Sequence, residues 1–558
     1  MKRFIAVLFY ITFILNSNDT KAQTFVGGTL SVNTIWTPKG NPYIDTSDLI
    51  IPANIILTLK PGVVLKFKAQ RSILVDGTIS AVGTADSVII FSIDTLPTEQ
   101  AFWSGIYIRS DAMPFDFISS SGCNFQHCIL ENGGTSNFFQ AQGGGEFTLY
   151  SEIGIYLDHC MIRNGYCGCT AGSNSRISNN VFMHTTADVL SGPIVRIGKS
   201  STVQSNIFYN NTVSTSAGMV SLNKNVKCFN NIFTKNDFVL SNSLYISDSS
   251  LFYGNTFTDN LDASILLEQG FCYNNTIVRN QAFNVMVTIS NNNPHFYNNN
   301  LLRNVSEVQG NAFEFAGFPV AGPETAVVEN NYWGSADSAT IALLIEDQND
   351  NSSLCRIDFV PFLAVPDINA PVIPPVWAHK KDLGNGQVQL TWSNNQETDL
   401  KGYKIYYKNF TGYSFTNSKD AGSDTTAIVD GVSITDTFAV TAYDLQATGV
   451  QDQLSGHESW FTIATLDTST GISEVTKFFM NGKVSPNPLH DHFIIKLYDK
   501  VPGGVEVDIY NLYGRLEKTL RVYNTSETID VHDLYPGLYI IKINSGGHYL
   551  GFQKIEIQ

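Results

Sequence analysis

The chain has 558 residues, with 34 lysines and arginines against 50 aspartates and glutamates, so its formal net charge is −16 at pH 7. This acidic balance argues against a nucleic-acid partner, because a phosphate backbone attracts basic surfaces. Charged residues make up only 15% of the chain, while glycine, asparagine, serine and threonine are abundant. Such a composition is typical of many short strands joined by polar turns, and it predicts an all-β protein.

The N-terminus has the features of a secretory signal peptide. Two basic residues precede an apolar run over 4–15, and Thr20 and Ala22 have the small-residue spacing of a cleavage site. The sequence therefore predicts a signal peptide over 1–22 and a mature chain that begins at Gln23. No later segment reaches the roughly 18 uncharged apolar residues of a transmembrane helix, so we expect an exported, soluble protein.

One six-residue phrase recurs along the middle of the chain. It begins with Asn or His, has an apolar third residue and usually ends with Asn; its copies start at His127, His159, Asn180, Asn206, Asn231, Asn255, Asn275, Asn299 and Asn330. Starts separated by 20 to 32 residues predict a parallel β-helix with one coil per repeat. The asparagines are predicted to bond to their own kind in neighbouring coils, about 4.8 Å away. The third residues are predicted to form one inward column: Ile129, Met161, Phe182, Phe208, Phe233, Phe257, Ile277, Leu301 and Tyr332.

The flanks of this repeat carry strand and turn phrases. Residues 61–67 read PGVVLKF, residues 331–334 read NYWG, and residues 359–362 read FVPF. These phrases resemble those of bacterial right-handed β-helix proteins, the pectate-lyase-like superfold. The resemblance implies a β-helix over 23–366, and it concerns the fold rather than an activity.

Two further units follow a proline-rich joint. Residues 374–466 contain a strand with a core-type Trp392 and resemble a fibronectin type III sandwich, interpreted as a spacer. After a polar linker over 467–482, residues 483–558 contain Pro-Asn-Pro and Gly-x-Tyr phrases and resemble the type A sorting domain of type IX secretion. That resemblance implies a partner in the type IX machinery, passage through the periplasm, and delivery to the medium or the outer cell surface.

The fifth residue of each phrase gives a column in which charges mostly alternate, as on a solvated face. Arg279 and Arg303 are neighbours in this column and break the alternation. Together with Lys235 they are the candidate contacts for an anionic glycan. The column comprises Glu131, Arg163, His184, Asn210, Lys235, Asp259, Arg279 and Arg303.

Catalytic residues are not assigned. β-Helix lyases need a base and a cation, and hydrolases need paired carboxylates, but no acidic pair lies within the phrases. The favoured hypothesis is therefore a non-catalytic surface protein that binds glycans or mediates adhesion. The alternatives are a polysaccharide lyase or glycoside hydrolase of the same superfold, and an envelope component without a ligand.

Two smaller patterns concern metals and thiols. Asp347, Asn349, Asn351 and Asp358 have the spacing of a calcium loop, but Ser352 stands where such loops need glycine, so a plain turn is favoured. Calcium is thus the one candidate cofactor. Cys128 and Cys160 occupy the same place in consecutive phrases, which makes them a candidate disulfide.

Overall fold

A computed structural model describes most of the mature chain. The described residues are 23–94, 102–134, 147–187, 192–214, 218–222, 224–239, 243–290, 294–306, 314–319, 324–467, 482–485, 491–497, 504–511, 515–535, 537–545 and 548–557. The predicted signal peptide and most of the linker over 467–482 lie outside them. Within these ranges the protein is all-β, with one α-helix at Ser338–Ala342 and 3-10 turns at Pro38–Gly40 and Gln453–Ser455.

The first unit is a parallel β-helix whose coils each contribute strands to three faces. Face 1 is an 11-stranded sheet: Thr34–Trp36, Ile56–Leu59, Thr78–Val82, Asn124–Gln126, Tyr156–Asp158, Arg176–Ser178, Thr202–Gln204, Lys227–Phe229, Leu251–Tyr253, Phe271–Tyr273 and His295–Tyr297. Face 2 contains Val64–Phe67, Ile89–Ile93, Cys128–Glu131, Met161–Arg163, Val181–Met183, Ile207–Tyr209, Ile232–Thr234, Thr256–Thr258, Thr276–Val278 and Asn300–Leu302. Face 3 contains Ser72–Val75, Gly105–Ile108, Leu149–Ser151, Cys169–Ala171, Val195–Ile197, Val220–Leu222, Leu244–Ile246, Ala263–Leu267, Gln281–Ile289, Phe315–Ala316 and Ile345–Glu346.

The remaining β-helix strands open the first coil, pair at a corner or close the last coil. Thr24–Thr29 pairs with Tyr43–Ile51, which in turn joins faces 2 and 3. The short strands are Thr186–Ala187, Thr212–Val213, Val305–Ser306, Thr325–Val327 and Arg356–Asp358.

The corners on either side of face 2 are single residues in the left-handed conformation. Asparagine tolerates this conformation better than most residues, which explains its frequency there. The corner before face 2 has φ between 49° and 63° and comprises His127, His159, Asn179, Ser205, Asn230, Gly254, Asn274, Asn298 and Asn330. The corner after it has φ between 51° and 58° and comprises Asn132, Asn164, His184, Asn210, Lys235, Asp259, Arg279 and Arg303.

Strand pairing corrects the predicted register of three copies of the phrase. Ile129 pairs with Met161, and Met161 pairs with Val181 rather than Phe182. The first two copies therefore start one residue later than predicted, and the ninth starts at Asn331. Because side chains alternate between faces, this slip exchanges inside for outside. The prediction that Ile129, Met161 and Tyr332 point inward is therefore wrong. The inward column comprises Leu130, Ile162, Phe182, Phe208, Phe233, Phe257, Ile277, Leu301 and Trp333.

The predicted asparagine ladder is confirmed, and a second ladder runs beside it. In the first, the backbone N–H and Nδ2 of Asn231 both donate to Oδ1 of Asn255, at 2.9 and 3.0 Å. Each amide thus meets buried backbone groups that would otherwise lack partners. The first ladder comprises Cys128, Cys160, Asn180, Asn206, Asn231, Asn255, Asn275, Asn299 and Asn331. The second comprises Thr185, Asn211, Asn236, Asn260, Asn280, Asn304 and finally Glu314.

The second unit is a sandwich of two sheets around a core that includes Trp392. One sheet orders as Thr426–Asp430, Gln387–Trp392, Ala378–Gly384 and Thr465–Leu466; the other orders as Asn417–Gly422, Leu400–Tyr407, Phe438–Asp444 and Thr462–Ile463. This strand arrangement is that of a fibronectin type III domain.

The third unit is a smaller sandwich with its own apolar core. Its strands are Gly482–Ser485, His492–Leu497 and Ser526–Asp530 in one sheet, and Leu516–Val522, Val505–Asn511, Gly537–Ser545 and His548–Ile557 in the other. Among the described residues, no helix has the length and apolar character needed to cross a membrane.

Candidate functional site

Face 2, where the charged column was predicted, is largely covered by the fibronectin-like sandwich. Ile207 and Ile232 point outward from the β-helix and pack against Phe415, Trp460 and Phe461 of the sandwich, forming one buried cluster. Burial of this aromatic surface holds the two units together. The sandwich therefore lies against the β-helix rather than extending from it as a free spacer.

Arg279 belongs to this interface. Its guanidinium donates to Oδ2 of Asp259 at 2.6 Å, to the carbonyl of Pro375 at 2.7 Å and to Oγ1 of Thr462 at 2.6 Å. The Arg279 side chain is only 13% exposed, whereas Lys235 and Arg303 are exposed. The anion contact predicted for these three residues stays a prediction, and the structure gives Arg279 partners within the chain.

Two pairs of opposite charges from the predicted column form ion pairs in the structure. Asp259 pairs with Arg279, and Glu131 pairs with Arg163 at 2.7 Å. Burial alone would raise the pKa of Glu131, but hydrogen bonds from Ser92 and Arg163 outweigh it and hold that pKa below its usual value. The corrected register moves Glu131 and Arg163 to the fourth place of their phrases, so they stand on the outer surface of face 2 instead of at its corner.

The candidate calcium loop uses its oxygen atoms to hold turns. Asp347 accepts from the backbone N–H groups of Asn349 at 2.8 Å and Ile357 at 3.0 Å. Asn351 accepts from the backbone of Ser353, and Asp358 from that of Val360. The bonds to the residue two places further along the chain are those of Asx turns, and the bond to Ile357 joins Asp347 to a residue ten places away. Calcium binding by these four residues stays a prediction.

Cys128 and Cys160 are neighbours, as predicted, but both are free thiols in the structure. The corrected register places them at the head of the first asparagine ladder, where the backbone N–H of Cys128 donates to Sγ of Cys160 at 3.4 Å. Burial raises the pKa of the Cys128 thiol, which makes the reactive thiolate scarce. Sulfur here takes over the acceptor role that the amide oxygen has in later coils.

Face 1 carries a feature that the sequence analysis missed, a stripe of stacked aromatic side chains. Its first row is Phe229, Tyr253, Tyr273 and Tyr297, whose ring centroids lie 4.9, 5.1 and 5.2 Å apart with interplanar angles of 10° or less. We call these four residues the tyrosine row. A parallel row on the same strands comprises Lys227, Leu251, Phe271 and His295.

The signal for the tyrosine row was present in the sequence. Each member stands two residues before a ladder asparagine, as in Tyr253-Gly254-Asn255 and Tyr273-Asn274-Asn275. Alternation along a strand then requires that these aromatic residues point outward when their neighbours point inward. An outward aromatic residue repeated in four consecutive coils is uncommon enough to indicate a binding surface.

The tyrosine row is uncharged and partly accessible. Tyr297 is 36% exposed, and the other three side chains are half-buried. Burial raises the pKa of Tyr253, Tyr273 and Tyr297, so their hydroxyls stay protonated at neutral pH. A protonated phenol both donates and accepts hydrogen bonds, and these three hydroxyls bond to no described residue.

The N-terminal part of face 1 is covered instead. Phe115 packs on Tyr156 with ring centroids 5.2 Å apart, and the Arg176 guanidinium lies 4.5 Å from the Phe117 ring centroid. The loop that carries Phe115 and Phe117 therefore shields these earlier coils, whereas the tyrosine row begins two coils beyond Arg176.

Comparison with known families identifies the tail. A profile described as a secretion system C-terminal sorting domain matches residues 483–558. The tail is a sorting domain. It marks the protein for secretion or export to the cell surface, in agreement with the resemblance found in its sequence.

Other comparisons concern the first two units. A profile described as periplasmic copper-binding protein (NosD) matches residues 133–338, which agrees with a right-handed parallel β-helix. Similar solved structures include the central fibronectin III array of RIM-binding protein (14% identity, covering 33% of this chain and 69% of that chain, TM-score 0.15). A second is a two-domain fibronectin III segment of chicken tenascin (14% identity, covering 33% of this chain and 99% of that chain, TM-score 0.13). A third is the FN1-FN3 domains of chicken CNTN1 (16% identity, covering 34% of this chain and 66% of that chain, TM-score 0.13). Comparison with curated proteins gives no significant match.

The NosD profile is named for copper binding, but the described residues of this protein provide no set of copper ligands. Within the described ranges, no three His, Cys, Asp or Glu side chains lie together so that they could hold a metal ion. His127 and His159 stack with ring centroids 4.8 Å apart, and Asp158 binds His159 at 2.8 Å. Imidazoles stacked face to face direct their nitrogen atoms sideways, so these two do not converge on one ion.

Proposed function

We propose that this protein is a cell-surface or secreted glycan-binding protein, exported by the type IX route, whose β-helix binds its ligand on face 1 without turnover. The observation that carries the proposal is the tyrosine row, an uncharged aromatic surface whose three hydroxyls bond to none of the described residues. Binding sites for polar organic ligands combine such apolar surface with a few hydrogen-bonding groups. The sorting domain supports the location, because the machinery that reads it delivers proteins beyond the outer membrane.

Binding without catalysis is supported by the environment of three carboxylates on the β-helix, Glu152, Glu268 and Asp158. Glu152 bonds to the hydroxyl of Tyr107, and Glu268 to that of Tyr245. Asp158 accepts from Ser178 at 2.7 Å. Glycoside hydrolysis requires two carboxylates that face one substrate bond from opposite sides. Glu152 and Glu268 follow face 3 strands of different coils and Asp158 lies on face 1, and each of the three has its own partner.

The docked sandwich has a structural role in this proposal. It covers the apolar outer surface of face 2, which would otherwise be a large exposed patch and an aggregation hazard. It also connects the binding unit to the sorting domain. Face 2 is therefore not open to a ligand over most of its length, and the tyrosine row favours face 1 as the binding surface.

The test is retention of the mature full-length protein on a panel of immobilised polysaccharides, with product release measured in parallel. We expect retention by at least one glycan and no release of reducing ends or unsaturated uronates. Release of such products would show that the protein is a hydrolase or lyase. Absence of retention on every glycan would favour an envelope component without a ligand.

A further inference from the structure

The spacing of the tyrosine row restricts the class of glycan, and this inference rests on the proposed function. We propose that the row binds a neutral, unbranched, β-1,4-linked polysaccharide that lies along the β-helix axis with one sugar per coil. The rings repeat at 4.9 to 5.2 Å, which is close to the rise per sugar of such a chain when it is extended. A polymer with a matching repeat makes the same contacts at each coil, whereas a coiled α-linked glycan loses register.

The contacts are made by ring edges and hydroxyls rather than by ring faces. Because the rings stack on one another, with an interplanar angle of only 4° between Tyr253 and Tyr273, their faces are covered by their neighbours. What remains for a ligand is a line of phenolic hydroxyls, each able to donate and accept. Leu251 and Phe271 of the parallel row add apolar surface beside this line. Sugar hydroxyls and C–H groups match these two kinds of surface.

Corner amides lie beside the tyrosine row. Asn274 follows Tyr273 directly, and its side-chain oxygen is inaccessible and has no hydrogen-bond partner among the described residues. Asn230 and Asn298 occupy the same corner in other coils, so amides flank the tyrosine row along most of its length.

The charges around the row favour a neutral ligand. The eight side chains of the two rows include no carboxylate, and their two basic members, Lys227 and His295, stand at opposite ends. The place after Tyr297 in the row is taken by Glu329, one of many acids in a chain with net charge −16. The negative net charge therefore disfavours an acidic polysaccharide at this row.

The sharpest variant removes the hydroxyls and keeps the rings. Y253F/Y273F/Y297F preserves the stack, so a folding defect is not expected, and Tyr245→Phe on face 3 is the matched control because its hydroxyl is bonded to Glu268. The probes are hydroxyethyl cellulose and glucomannan as neutral chains and polygalacturonate as an acidic chain, in affinity electrophoresis of the full mature protein. We expect retardation by a neutral chain that added salt does not abolish, a loss of affinity of about tenfold or more in the triple variant, and no change in the control.

The length dependence tests the register. For β-1,4-linked oligosaccharides, we expect affinity to rise with each sugar up to four, the number of rings in the row, and little beyond that. Equal binding by wild type and triple variant, or retention by polygalacturonate alone, would overturn this inference and leave glycan binding standing. Failure of the wild type to bind any glycan would remove the proposed function as well.

Discussion

The first asparagine ladder offers the sharpest test of how the β-helix is held together, through the substitution Asn255→Asp. Asn255 is fully buried, and its Nδ2 donates to the carbonyls of Cys228 and Tyr253 and to Oδ1 of Asn275, each at 3.0 Å. Aspartate has the same shape, so no cavity forms. It replaces this donor with an oxygen that faces three acceptors.

The substitution lowers the free energy of unfolding for two reasons: a hydrogen-bond donor is lost, and a carboxyl group is buried. The introduced carboxyl, when it is protonated, could keep one of the three bonds, so two neutral hydrogen bonds are lost, worth about 2 kcal/mol together. Keeping the carboxyl protonated costs a further ~1.4 kcal/mol for each pH unit above its unfolded pKa of about 3.9. At about pH 6 the total is about 5 kcal/mol. Because the folded pKa is raised, the loss grows as pH rises.

The assay is urea unfolding of the mature protein, with hydrogen exchange of β-helix peptides to separate this unit from the sandwiches. The matched control is Asn230→Asp, which makes the same change at a half-buried corner one coil earlier. We expect the control to lose less than about 1 kcal/mol. Equal unfolding midpoints for the two variants, or a difference that shrinks with rising pH, would refute this account of the ladder.

Three further predictions concern other parts of the chain. Burial raises the pKa of Glu314 to about 7 from an ordinary 4.5; stability should therefore fall by about 3 kcal/mol as pH rises between these values, and Glu314→Gln should abolish this fall in a urea titration. Arg279→Met should expose the proline-rich joint to limited proteolysis by loosening the sandwich, while Arg303→Met, its exposed neighbour, should not; equal cleavage of both would contradict the docking role. Deletion of 483–558 should leave the protein in the periplasm on cell fractionation, and normal surface delivery would disprove the sorting role.

The fold could be predicted from the sequence because its determinants are local and repeat. Phrases of the kind Asn-x-Phe-x-x-Asn fix one coil at a time, and the predicted register is correct for six consecutive copies from Asn180 onward. The predicted register is wrong at Cys128 and Cys160 because the histidine before each cysteine is polar like asparagine but does not belong to the ladder. The ladder requires a small buried acceptor, which sulfur can be, and the histidines are corner residues with positive φ.

The environment of the candidate site was less predictable because it depends on distant parts of the chain. Arg279 bonds to Thr462, 183 residues away, and no periodic pattern marks that contact. A column chosen by repeat position alone therefore mixed residues at a domain interface with residues in solvent. The tyrosine row, in contrast, is predictable from the sequence, because its members stand at one outward place of the same repeat.

The first asparagine ladder is hydrogen-bonded directly to the backbone of the tyrosine row. The Nδ2 groups of Asn231, Asn255, Asn275 and Asn299 donate to the backbone carbonyls of Phe229, Tyr253, Tyr273 and Tyr297, at 3.0 to 3.1 Å. Each ladder amide thus fixes the strand end that presents one ring, and the ladder spacing becomes the ring spacing. Asn255→Asp should therefore weaken glycan binding even where the protein remains folded, since a binding surface must be held rigidly by what supports it. If the Asn255→Asp variant is folded at low pH and binds glycan as well as the wild type, the ladder does not control the binding surface of the tyrosine row.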